Sequence, residues 1–125
     1  MVVGVGTDLM EIARIEESIA RFGDRFLARV FTPGEIAYCR RKKNAGESFA
    51  ARFAAKEAGA KALGTGISQG VGWLELEVTR EPGGKPALTL RGRAAARARA
   101  LGIMHISMSI THSRDTALAV VIMES

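Results

Sequence analysis

Apolar and polar positions along the chain follow two periods, one near two residues and one near 3.6. Val2-Val3-Gly4-Val5-Gly6-Thr7 is a short apolar run and reads as a buried strand, with Asp8 directly after it. From about Glu11 to Arg21 the positions Ile12, Ile15, Ile19 and Phe22 recur at helical spacing and predict a helix with that face buried. Arg14, Ser18, Arg21 and Arg25 fall along its other side. Gly23-Asp24 is a break before Phe26 to Phe31. Thr32-Pro33-Gly34-Glu35 predicts a helix start, because Thr32 can cap, Pro33 suits the first turn and Glu35 completes a capping box. That helix carries Ile36, Ala37 and Tyr38 into Arg40-Arg41-Lys42-Lys43. After a turn at Asn44 to Glu47, a helix begins at Ser48 or a neighbour and runs to Gly64, a residue suited to a left-handed C-cap.

The second half reads as more strand than helix. Thr65 to Gly72 is a glycine-rich loop. Trp73 to Thr79 alternates, Glu81 to Pro86 turns, and Ala87 to Leu90 returns, which predicts an antiparallel hairpin. Gly92 to Leu101 is an alanine- and arginine-rich helix stopped by Gly102. Ile103 to Ile110 alternates again, with Ser107 and Ser109 on one face. Thr111 to Asp115 reads as a turn and Thr116 to Met123 as an apolar last strand. No repeat, low-complexity segment or linker interrupts this order. The expected architecture is α+β, a mostly antiparallel sheet packed against a few helices in one domain spanning residues 1–125.

Composition narrows the function classes. The balance of 47% hydrophobic and 25% charged residues is ordinarily globular. The formal charge of +5 calls for an anionic partner: nucleic acid, a membrane surface, an acidic protein or a polyphosphate ligand. One Trp, one Tyr and five Phe are few rings for a single-stranded nucleic-acid binder. Cys39 is the one cysteine, so no intrachain disulfide forms; it reads as structural and fits a reducing compartment. With no apolar run able to span a bilayer and no signal-peptide pattern, the expectation is a cytoplasmic protein.

Two carboxylates carry the candidate chemistry. Asp8 at a sheet rim suits a hard cation such as Mg²⁺, though on its own it reads first as a helix cap. On the helix from Arg52 to Gly64, the residues Phe53, Glu57, Ala60, Lys61 and Gly64 share one side. The plain reading is a solvated helix with an i,i+4 Glu57–Lys61 pair worth about 0.3–0.5 kcal/mol. The arginine stripe is a solvated face or a dock for an acidic helix. The run Arg40 to Lys43 is an exposed helix end or an electrostatic lure for phosphates.

Four segments together carry a resemblance that none carries alone. They are Gly6-Thr7-Asp8-Leu9-Met10-Glu11-Ile12; Arg52-Phe53-Ala54-Ala55-Lys56-Glu57-Ala58 with Lys61-Ala62-Leu63-Gly64-Thr65-Gly66-Ile67; Gly84-Lys85-Pro86; and Ser109-Ile110-Thr111-His112. In order and spacing, over essentially the whole chain, they resemble the holo-[acyl-carrier-protein] synthase family, the short single-domain 4′-phosphopantetheinyl transferases. The resemblance implies transfer of phosphopantetheine from coenzyme A to a serine of apo-acyl-carrier protein, releasing adenosine 3′,5′-bisphosphate, in support of fatty acid biosynthesis. It implies Asp8 and Glu57 as Mg²⁺ ligands, Lys61 on phosphate oxygens, and Arg52, Gly64, Thr65 and Gly66 lining coenzyme A, with Pro86 near the adenine. Glu57 would remove the serine proton, directly or through a water. Arg14, Arg21 and Arg25 would dock the acidic carrier protein. Members of the family are homotrimers with active sites between subunits, and neither nucleic acid nor membrane is a partner.

One segment departs from the family pattern. Counting from Gly102, the histidine that the family places before its serine falls on Ser107, with His105 two residues earlier and Ser109 and His112 in register. Alternatively, His105-Ile106-Ser107 is the matching piece and two residues are inserted after it. Both His105 and His112 are expected as ligand contacts. A small non-enzymatic nucleic-acid binder is the competing reading. It leaves unexplained why carboxylates sit among the basic segments, where without a metal they would repel phosphate.

Overall fold

The hydrophobic pattern resolves into ten principal elements in the computed structural model, which describes residues 1–125. These are β1 (Val2–Glu11), α1 (Ile12–Phe22), α2 (Asp24–Val30), α3 (Pro33–Arg40), α4 (Ala45–Ala62), β2 (Leu76–Arg80), β3 (Pro86–Leu90), α5 (Gly92–Ala100), β4 (His105–His112) and β5 (Thr116–Glu124), with a 3-10 turn at Trp73–Glu75. One antiparallel sheet has the order β1-β5-β4; β2 and β3 form the expected hairpin, but as a second sheet of their own rather than as part of a single one. No helix is long and apolar enough to cross a membrane.

Helix α4 is the centre. It packs against β1 and β5 on one side and against α1, α3 and β2 on others. Eleven of its residues are buried, seven of them alanines. This overturns the expectation of a solvated helix. Alanine suits both conditions at once, with high helix propensity and little bulk between layers. Ala54, Ala55 and Ala58 lie in one apolar cluster with Leu63, Leu76, Val121 and Met123. Phe49, Ala50 and Ala51 lie in a second, with Ile15, Leu27, Val30 and Phe31. Cys39 is fully buried in that second cluster, and burial pushes its thiol up to about 11, against the pull of the nearby Arg52 charge. It is an inert core residue.

Four local expectations need correction. The strand read from Trp73 begins only at Leu76, because Trp73–Glu75 closes a 3-10 turn in which Leu76 N donates to the Trp73 carbonyl oxygen. Strand β1 continues past Thr7 to Glu11, because β5 pairs with it as far as Glu11 opposite Thr116. Asp8 therefore lies inside a strand, opposite Ala119, and caps no helix. Strand β4 likewise takes in Thr111 and His112, which pair with Leu118 and Ala117, so the turn is confined to Ser113 to Asp115. Phe22 is 54% exposed rather than part of the buried face. Gly23, at φ 58°, turns the chain into α2, which seals Ile15 through Leu27 and Val30 and leaves the last turn of α1 uncovered.

The α3 start is as expected. The Thr32 side chain accepts from Glu35 N, and Glu35 Oε1 accepts from Thr32 N at 2.8 Å. Glu35 does more than cap. Its other oxygen accepts from Val78 N at 2.7 Å, and its Oε1 lies 2.7 Å from Lys56 Nζ, with both side chains fully buried. Lys56 also donates to the carbonyl oxygens of Trp73 and Leu76. Burial lowers the Lys56 ammonium and the Glu35 charge opposes that. The pair bolts α3, α4 and β2 together.

Candidate active site

Alternation along β1 puts Gly4, Gly6 and Asp8 on the same face, the one that meets α4. A Cβ at Gly4 would run into the Ala62 carbonyl oxygen, and one at Gly6 into that of Ala58. The two glycines thus let the helix backbone lie directly on the strand. Asp8 is the next residue on that face, and it meets the side of α4 that carries Glu57 and Lys61.

Lys61 Nζ donates to Asp8 Oδ1 at 3.1 Å and to the Thr7 carbonyl oxygen at 3.0 Å. The i,i+4 pairing of Lys61 with Glu57 is therefore replaced by a contact 53 residues away in sequence. The Asp8 side chain is only 15% exposed, and its Oδ2 is buried without a hydrogen-bond partner. Burial, and next the Asp8 charge, push the Glu57 carboxyl above the usual range, while Lys61 works against them. A carboxylate with an orphaned oxygen, set close enough to a second to push that one's protonation up, is short of a cation. No group of three or more metal-ligating side chains is present. One or two carboxylate oxygens, completed by waters and phosphate oxygens, is a donor set that magnesium accepts and a structural zinc does not.

A second group lies in a cleft of about 320 Å³. Arg52, Pro86 and His112 line it together with Tyr38, Lys42 and Arg80. Arg52 is only 2% exposed. His112 Nε2 lies 3.3 Å from Glu47 Oε1. Gly64, Thr65 and Gly66 wrap the C-terminal end of α4 beyond Lys61, where the amides of Thr65 and Gly66 both donate to the Ala60 carbonyl oxygen. Gly64 and Gly66 have φ of 81° and 63°, which glycine alone adopts readily.

His105 and His112 are not brought together. They occupy opposite ends of β4, and their odd separation puts them on opposite faces. His105 is exposed and pairs in register with Glu124. Arg14, Arg21 and Arg25 lie on the surface of α1 and α2, and exposed Phe22 sits among them with the Arg21 guanidinium 5.2 Å from its ring. Sequence reasoning missed Phe22 as a surface residue, the Glu35–Lys56 bolt, and the gathering of Lys42, Arg52 and Arg80 about Tyr38. Only the capping box hinted at any of these, since it places Glu35 at the start of α3.

An α+β fold with a helix laid on a glycine-bearing strand, two carboxylates and a lysine between them, defines a class. The model of the 4′-phosphopantetheinyl transferase superfamily matches residues 4–121. The chain is 53% identical over 124 residues to a holo-[acyl-carrier-protein] synthase of Koribacter versatilis, covering 99% of each. It is 54% identical over 125 residues to one of Solibacter usitatus, covering both chains fully. Among solved structures, the holo-[acyl-carrier-protein] synthase of Neisseria meningitidis superposes with a TM-score of 0.92 at 34% identity, covering 100% of both chains. That of Helicobacter pylori, solved in complex with coenzyme A, superposes at 0.85 with 36% identity, covering 96% of this chain and 99% of that one. The chain belongs to the holo-[acyl-carrier-protein] synthase family of these transferases.

Proposed function

We propose that this protein transfers the 4′-phosphopantetheine group of coenzyme A to a serine of an apo-acyl-carrier protein, using Mg²⁺ held by Asp8 and Glu57. The observation that carries the reading is the buried, unpartnered Asp8 Oδ2 beside a Glu57 whose carboxyl burial and Asp8 push upward. Bound there, Mg²⁺ would neutralise charge on the pyrophosphate of coenzyme A. Lys61 would leave Asp8 for phosphate oxygens, acting as a point charge at the end of a flexible stem. The serine oxygen forms a bond to the β-phosphorus, the P–O bond to the leaving phosphate breaks, and adenosine 3′,5′-bisphosphate departs. Glu57 takes the serine proton, directly or through a water. Positioning and charge stabilisation supply most of the acceleration, as in other phosphoryl-type transfers.

The remaining residues take the roles that the resemblance implies. Arg52 and His112 would contact coenzyme A in the basic cleft, with Pro86 near the adenine and Gly64 to Gly66 along the ligand. The Helicobacter pylori relative, solved with coenzyme A, supports this ligand. Arg14, Arg21 and Arg25, with Phe22 exposed among them, suit an acidic carrier helix that also offers an apolar side chain. The outer face of the three-stranded sheet leaves Val5 and Leu9 55% and 63% exposed, an apolar face that the homotrimer implied by the resemblance would cover. His105, on that outer face, would reach a ligand only across a subunit boundary. We place the protein in the cytoplasm and in fatty acid biosynthesis.

The test is to incubate the protein with coenzyme A, Mg²⁺ and apo-acyl-carrier protein and to weigh the carrier by intact mass spectrometry. A phosphopantetheine-sized gain that disappears with Asp8→Ala, Glu57→Ala or added chelator is the expected result. No gain with several carriers would sink the proposal.

A further inference from the structure

Arg52 and Lys56 lie one turn apart on the same stripe of α4, and both are buried, at 2% and 0% exposure. Their surroundings differ sharply. Lys56 has Glu35 and two carbonyl oxygens. Arg52 has no carboxylate within ion-pair distance, and its Nε is buried with no partner. What faces it is an aromatic ring: the guanidinium carbon lies 4.2 Å from the Tyr38 centroid. Glu35 and Tyr38 are three residues apart on α3, so that helix sets a negative charge against one buried cation and an uncharged π face against the next. The same ring has the Lys42 ammonium at 4.7 Å and the Arg80 guanidinium at 5.4 Å. Glu47, the one acid lining the cleft, has His112 for a partner.

We propose that Tyr38 is a positioning residue that gathers Arg52, Lys42 and Arg80 into one anion-binding array in the cleft without neutralising them. A carboxylate in its place would hold three cations at least as firmly but would cancel the charge a phosphate ligand needs. The ring attracts cations through its quadrupole and carries no net charge. Stacking on the flat guanidinium face also leaves the N–H groups in the plane free to point past the ring edge. The crowding registers on the phenol itself. Burial works to raise it, but the nearby cations of Lys42, Arg80 and Arg52 outweigh that and lower it. The inference rests on the reading of Arg52 as a coenzyme A contact, and it adds the residue through which Arg52 is held.

The test is coenzyme A binding by titration calorimetry for the intact protein and for Tyr38→Leu, Tyr38→Phe, Arg52→Gln and the Tyr38→Leu/Arg52→Gln double variant. Tyr38→Leu should weaken binding about 5- to 20-fold, the range expected for a partly desolvated cation–π contact. Tyr38→Phe, which keeps the ring face, should recover most of that. In the Arg52→Gln background, Tyr38→Leu should cost clearly less than in the parent, because the share that acts through Arg52 is already gone and only that of Lys42 and Arg80 remains. In steady-state assays the Tyr38→Leu loss should fall on KM for coenzyme A and leave kcat near that of the parent. Should Tyr38→Leu fail to fold by circular dichroism, Tyr38→Gln replaces it at this half-buried position with the same expectations. Losses that add fully in the double variant, or a Tyr38→Leu protein that binds normally while Arg52→Gln does not, would overturn the inference and leave the proposed function standing. Normal binding by both single variants would remove Arg52 from the coenzyme A site, and the inference with it.

Discussion

Lys56 Nζ sits 2.7 Å from Glu35 Oε1, and neither side chain has any exposed surface. Because Lys56 directly precedes Glu57, this contact fixes the rotation of α4 at the point where the carboxylate proposed to hold Mg²⁺ leaves it. Lys56→Ala would strand the Glu35 charge in the core. The expected loss is about 3–5 kcal/mol, read from urea unfolding. A Glu35→Gln/Lys56→Met double variant should lose clearly less, since it leaves no unpaired buried charge. An equal or larger loss in the double variant would show that the pair is not the source of the effect.

Gly6 is the tightest point between β1 and α4, where any Cβ would strike the Ala58 carbonyl. Gly6→Ala must push the helix off the strand, at a cost of more than about 2 kcal/mol. The same movement separates Glu57 and Lys61 from Asp8. Transferase activity should therefore fall even at temperatures where circular dichroism shows the variant folded. Full activity in a folded Gly6→Ala protein would show that the spacing between strand and helix does not set the site.

The two carboxylates predict a metal-dependent melting temperature. Mg²⁺ with coenzyme A should raise the midpoint of the intact protein, with about 2.7 kcal/mol of stabilisation at a hundredfold excess over Kd. Chelator should reverse it. Asp8→Asn removes one ligand charge and should abolish the Mg²⁺-dependent part of the shift, as followed by differential scanning fluorimetry. A shift of undiminished size in Asp8→Asn would move the ion elsewhere.

Glu77 predicts an acid limb. Hydrogen bonds from Arg91 at 2.6 Å and from Thr32 at 2.7 Å hold its carboxyl below the usual value, burial notwithstanding. A depressed folded value means that the unfolded state binds the proton first. The stabilisation is thus fully present above the ordinary glutamate value of about 4.3 and is lost as pH falls through the lower folded value. Glu77→Gln should cost about 1–2 kcal/mol near neutrality, and its deficit should close in acid. Urea midpoints measured down to about pH 3 test this, and a deficit constant across the range would contradict it.

Arg21 and Phe22 predict a partner-specific defect. Arg21→Glu or Phe22→Asp, both on an exposed turn, should raise KM for the carrier protein about tenfold, with coenzyme A binding and thermal stability near those of the parent. The arginine effect should shrink as salt is added, and the phenylalanine effect should not. Unchanged carrier kinetics in both variants would place the docking surface elsewhere.

Much of the fold was legible because it depends on short-range rules. The capping box at Thr32–Glu35, the helix stop at Gly64, the hairpin about Gly83-Gly84 and the period of Ile12 and Ile15 are all set by neighbours within four residues. The four family-like segments were also readable as strings, and they pointed to Asp8, Glu57 and Lys61 before any geometry was known. The same rules gave wrong ends to β1 and β4 and a wrong face to Phe22. A strand lasts as long as its partner pairs with it, and a helix face is buried only where another element arrives.

What the sequence determined by itself is therefore the list of elements, their order and the chemistry they carry. What only the tertiary structure decided is which charges meet. Lys61 leaves its helical neighbour Glu57 for Asp8, 53 positions earlier. Lys56 receives a carboxylate, while Arg52, one turn away, receives a ring. Periodicity assigns a side chain to a face of its own element and says nothing of what packs opposite. That is set by helix–strand contact at Gly4 and Gly6 and by the docking of α3 on α4, where a fully buried charge left without its partner costs several kcal/mol instead of a few tenths.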